Sequence, residues 1–150
     1  MLFHPGDWTF LHFVNLAIHE AGHLVFAPFG EVPGVAGGSI LQVLVPLAFA
    51  GSFWRQRQPY GTAFSLYWTG VSIVYVANYA SDARAIALPL LGGDGSIHDW
   101  NFLLARWGLL GQDRLIAGVL LGLAAVSVAA GALAAWRAGS AEPAPGGEPT

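Results

Sequence analysis

The stretch Asn15–Phe26, "NLAIHEAGHLVF", reads as a membrane helix except for His19, Glu20 and His23 in its middle. Ionisable side chains are costly in an apolar span, so three within five residues need an explanation: they bind and use a metal, or they are merely tolerated. Positions 19 and 23 lie four apart, on one face of a helix and about one turn from each other. Two imidazoles so placed can hold one metal ion in the H-E-x-x-H arrangement. Glu20, beside the first histidine, can act as a general base on a water that the metal acidifies, without itself being a ligand.

The remainder of the chain supplies the setting. Of 150 residues, 55% are hydrophobic and 10% charged, and the mean hydropathy is +0.55. Four apolar stretches have the length to cross a bilayer: Trp8–Phe29, Val35–Trp54, Gly61–Ala80 and Leu115–Trp136. About 20 apolar residues at 1.5 Å each cover the roughly 30 Å hydrocarbon core. The expected fold is all-α: a polytopic membrane protein with four transmembrane helices and a short amphipathic interfacial helix within Ile97–Leu110, "IHDWNFLLARWGLL". Residues 1–138 form one integral membrane domain, and the Gly-, Pro- and Glu-rich residues 139–150 read as a disordered tail. The first span lacks a basic leader and an A-x-A-like cleavage site, so it is expected to remain in the protein. Gly30–Gly38, "GEVPGVAGG", reads as a loop, with its Gly37–Ser39 end as a plain turn.

The net charge of −3 sits mostly in loops and tail and gives no sign of nucleic-acid binding. The chain has no cysteine, which excludes disulfides and thiolate metal sites. Any metal must be held by nitrogen and oxygen donors, a set that suits zinc. All six basic residues are arginines. Arg55 and Arg57, in the short second loop, place both termini in the cytoplasm under the positive-inside rule.

Four spans collect the polar groups at one end. Spans one and three run in the same direction, so His19 and His23 share a side with Asp82, Asp94, His98 and Asp99. His98 is a good zinc ligand type, in a loop made pliable by Gly92, Gly93 and Gly95. Asp82 forms a polar face with Asn78, or a salt bridge with Arg84. Asp99 can orient a histidine or cap the helix that begins at Trp100. His12 and Asn15 extend the stripe of His19 and His23, either as a polar path for water leading to the metal or, the reading preferred for His12, packing by hydrogen bond on a neighbouring span. Trp8, Trp54, Trp100, Trp107 and Trp136 read as interfacial tryptophans. Gly118 and Gly122 form a G-x-x-x-G pair for close helix packing, within one chain or between two.

A membrane span carrying H-E-x-x-H resembles the site-2 protease family of intramembrane zinc metalloproteases. The family's second motif, N-x-x-P-x-x-x-x-D-G, is matched by Pro89, Asp94 and Gly95 in "PLLGGDG", with Ile86 standing where the family has asparagine. The resemblance covers two short motifs and the membrane setting. It implies zinc held by His19, His23 and Asp94, with Glu20 as general base. His98, then Asp82, then Asp99 are the alternatives for the third ligand. It implies hydrolysis of peptide bonds in membrane proteins or peptides, with the lipid bilayer as surroundings; the oligomeric state stays open. A rival reading keeps the same histidines in a membrane protein that binds or transports a divalent metal without cutting peptides. A third is a structural membrane protein with an inactive relic of the motif.

Overall fold

The computed structural model describes residues 10–88 and 97–141. Among them there is no strand. Five α-helices follow in order: α1 Phe10–Phe26, α2 Glu31–Arg55, α3 Pro59–Ser81, α4 Asp99–Arg106 and α5 Asp113–Ala141. The all-α expectation holds. Two segments, α2 and Leu110–Ser140, which covers α5 up to Ser140, are long and apolar enough to cross a membrane by length and composition. The other two expected spans do not stand out in this way. The described part of α1 is 17 residues. α3 has the length, but Thr62, Ser65, Thr69, Ser72 and Asn78 dilute its apolar character.

Helix α1 packs along α2, α3 packs against both α2 and α5, and α4 touches α2 and α3. The turn from α1 to α2 is tight: a 3-10 turn at Ala27–Phe29, then Gly30 with φ at 114°, a conformation that strains any side chain. Helix α2 starts directly at Glu31, so the loop read at Gly30–Gly38 is helical after its first residue. Pro33 falls in the first turn, where backbone N–H groups lack intrahelical partners anyway and proline is tolerated. Gly37 and Gly38 are buried because α1 packs there. A β-carbon on Gly22 of α1 would lie 2.7 Å from the Gly37 carbonyl carbon, and one on Gly37 would lie 2.6 Å from Phe26. Tertiary contact overrides the low helix propensity of these glycines.

Within the bundle, the usual distribution of side-chain sizes is inverted. The buried apolar residues are mostly small, Ala50, Ala63, Ala77, Ala80, Ala83, Ala117 and Ala124 among them. Asn15, Gln42, Thr62, Ser65, Thr69 and Ser72 are buried beside them. Large apolar side chains point outward instead, including Phe10, Leu44, Phe49, Phe64, Leu115, Val126 and Trp136. Pro46, also buried, interrupts the hydrogen bonding of α2. It has no N–H to offer the carbonyl of Gln42, one turn earlier.

Several local expectations change. Trp54, Trp107 and Trp136 are exposed, whereas Trp100 turns inward and its indole N–H donates to Ser39 Oγ at 3.1 Å. Gly118 and Gly122 have no neighbour within this chain's described residues, which leaves packing between two chains open, and the glycines that bring α3 and α5 together are Gly70 and Gly131. Helix α5 runs through Gly139 to Ala141, into the stretch read as tail.

Candidate metal centre

His19 and His23 project from α1 towards α2, and each has one ring nitrogen already engaged. His19 Nδ1 lies 3.0 Å from Gln42 Oε1, and His23 Nδ1 lies 2.9 Å from the Gly34 carbonyl. A carbonyl can only accept, so Nδ1 carries the proton in each neutral ring and Nε2 keeps its lone pair. Both Nε2 atoms turn to one point, and Asp99 meets them there. Its Oδ2 is 3.1 Å from His19 Nε2 and 3.3 Å from His23 Nε2. His19 and Asp99 are buried and His23 is half-buried.

Three electron-pair donors converging in a secluded site repel one another unless a cation lies between them. A proton on one ring would serve, and so would a metal ion. Bonds of about 2.0–2.1 Å to a tetrahedral ion put neighbouring donor atoms about 3.3 Å apart. The two histidine–aspartate separations fit that spacing. The three donor atoms all lie within 4.8 Å of one another, so the group can hold a metal ion. Gly38 makes room for it. A β-carbon there would stand 2.6 Å from His19 Nε2 and 2.7 Å from His23 Nε2.

Asp99 reaches this point because α4 is fastened to two helices. His98 caps α4, its Nδ1 accepting the Asn101 N–H at 3.2 Å. The Asp99 N–H donates to the Tyr79 hydroxyl at 3.2 Å, and the Asn101 amide donates to the Ala83 carbonyl at 2.8 Å. Those two bonds tie α4 to the end of α3, and the Trp100–Ser39 bond ties it to α2. Leu103 and Leu104 are buried, giving the short helix an apolar anchor. Because His98 takes the capping role, the Asp99 carboxylate is free to turn inward.

The residues weighed as third ligand therefore separate. Asp94, with Pro89 and Gly95, lies outside the described residues. His98 and Asp82 pair with each other, His98 Nε2 to Asp82 Oδ2 at 3.4 Å, apart from the two α1 histidines. Asp82 also accepts the N–H groups of Ala87 and Leu88, each at about 3 Å. It does not pair with Arg84, which donates to Asp113 at 2.7 Å. Asp99, placed last by sequence, is the carboxylate that joins the histidines. Glu20 is exposed on α1, outside the three-residue group.

Two contributors carried no sequence signal. Gln42 and the Gly34 carbonyl orient the histidines, and nothing in the pattern of α2 marks either one. Asn15, one turn before His19, is buried and accepts from Trp68 Nε1 at 2.8 Å and Ser72 Oγ at 3.2 Å, tying α1 to α3. The His12 ring lies against Tyr75 of α3 with centroids 5.2 Å apart.

No family model, curated protein or solved structure matches this chain.

Proposed function

We propose that this protein is a four-span membrane metallohydrolase, cutting peptide bonds of membrane-associated substrates with zinc held by His19, His23 and Asp99. The observation that carries the reading is the convergence of two Nε2 atoms and one carboxylate oxygen, each imidazole held by a hydrogen bond at Nδ1. Such partners on the far nitrogen are the usual companions of metal-binding histidines, because they fix the tautomer and the ring plane. Donors of nitrogen and oxygen at this spacing fit zinc. When bound, zinc supplies a Lewis acid that polarises a peptide carbonyl and makes water a nucleophile near neutral pH.

Glu20 favours hydrolysis over storage or transport. It adjoins His19 in sequence yet stands outside the donor group, where a metal carrier has no use for it. In hydrolysis its carboxylate accepts a proton from the attacking water and passes it to the departing amine. The membrane setting is supported by the inverted packing, since small and polar side chains at helix contacts with large apolar ones outward suit lipid surroundings. Under this reading α1, α2, α3 and α5 all span, and both termini are cytoplasmic. The absence of cysteine gives a clean test: single cysteines at Gln56 and Ile97 should label from opposite sides, Gln56 from the cytoplasm. Labelling of both from one side would end the four-span arrangement.

The decisive variant is Glu20→Gln. It preserves side-chain shape and all three donors, so zinc binding should persist. Removing a general base lowers the rate by about 10² to 10⁴. A folded, zinc-loaded protein nearly inactive on a membrane-embedded peptide is the expected result. Loss of zinc would make Glu20 a ligand. Zinc transport across vesicles by wild type and variant alike would favour a carrier.

A further inference from the structure

Hydrolysis at this centre, with Glu20 taking the proton, is aided by a hydrogen-bond donor placed at the carbonyl oxygen, which gains charge as water adds. Most N–H donors around the site are engaged. The imidazole Nδ1 groups bond Gln42 and Gly34, the Trp100 indole bonds Ser39, and the Asn101 amide bonds Ala83. Two hydroxyls, Ser39 and Tyr79, accept a hydrogen bond but donate none among the described residues.

Tyr79 is the better placed of the two. Its oxygen accepts the N–H of Asp99, so only the covalent length of that residue separates the phenol from the carboxylate in the metal group. Its ring packs near two imidazoles, 5.9 Å from the His19 ring and 4.3 Å from the His98 ring between centroids. A donor fixed before the reaction costs no reorganisation when charge develops. A phenolic hydroxyl is a stronger hydrogen-bond donor than the aliphatic hydroxyl of Ser39. The bond accepted from Asp99 polarises its O–H further.

We propose that Tyr79 is a catalytic residue, donating its phenolic hydrogen to the substrate carbonyl oxygen; this rests on the metallohydrolase reading. The water oxygen bonds to the carbonyl carbon, and Glu20 takes one water proton. The carbonyl π pair moves onto oxygen, where the Tyr79 O–H stabilises it without transferring its proton. The pair then returns, the C–N bond breaks, and the proton on Glu20 leaves with the amine.

Tyr79→Phe separates this role from simple support of Asp99. Zinc affinity, measured by chelator competition, should stay within about threefold of wild type, while kcat falls on the order of 10²-fold with KM unchanged. Affinity for a phosphinic peptide, a tetrahedral anion resembling the hydrated carbonyl, should fall by a similar factor in direct binding. Unchanged kcat and phosphinate affinity would overturn the assignment, as would a loss of zinc large enough to explain the lost activity. A wild-type protein that neither cuts peptides nor binds the phosphinate would instead bring down the hydrolase reading, and this role with it.

Discussion

Helices α1 and α2 meet across glycines, and so do α3 and α5, but the two seams enclose different atoms. At the first, a side chain on Gly38 would collide with two imidazole nitrogens, and Gly22 and Gly37 hold the flanking backbones together. At the second, a β-carbon on Gly70 would meet Val128 Cγ2 at 2.5 Å, and one on Gly131 the Ala63 carbonyl at 2.9 Å. Ser127 Oγ closes that seam by donating to the Leu66 carbonyl at 2.8 Å. Glycine lets helices approach in both places. Only at the first does the space so kept contain donors aimed at a common point. Small residues at a helix crossing therefore say that two helices are close; the polar atoms around them say why.

Substitutions can test whether the seams are as separable as their geometry implies. The largest effect belongs to the donors. His19→Ala, His23→Ala or Asp99→Ala should each abolish stoichiometric zinc, since two remaining ligands bind poorly. Metal analysis should show Asp94→Ala retaining its zinc; the reverse result for the two aspartates would return the third position to Asp94. Next comes Gly38→Ala, which thrusts a methyl group at both Nε2 atoms between backbones already in contact. Zinc affinity should fall about 10²-fold or more by chelator competition, on the scale of losing an orienting interaction outright. Gln42→Leu removes only the partner of His19 Nδ1, and a loss of about 10- to 100-fold is expected. Gly131→Ala should leave zinc affinity untouched and cost about 1–3 kcal/mol of stability through overpacking, read from unfolding in mixed micelles. If Gly131→Ala weakened zinc as much as Gly38→Ala, the two seams would be one cooperative unit.

What sequence made visible follows the range of the interactions. The paired histidines sit one helical turn apart, so their spacing alone placed them on one face. The apolar runs likewise marked α2, α3 and α5 within a few residues. Asp99 lies 80 residues beyond His19, and no local pattern says where a loop of that length returns. The aspartate–glycine pair at Asp94 carried more motif than Asp99, although Asp99 heads an amphipathic helix whose buried leucines and hydrogen bonds draw it to the bundle. The Gly30–Gly38 segment departs from a loop for a related reason. Its glycines and proline break isolated helices, yet here they let α2 begin early and lie against α1. Gly118 and Gly122 show the converse, a packing motif that finds no neighbour among the described residues.

The two acceptors that orient the histidines differ in how they can be inherited. Gln42 offers a side-chain oxygen, and a single amino-acid change deletes it. Gly34 offers its main-chain carbonyl, which every amino acid possesses and no replacement at that position removes. The tilt of the His19 ring is thus a trait that drift or selection can retune one step at a time. The tilt of the His23 ring is bound to the path of the chain itself, and changes only if the start of α2 moves.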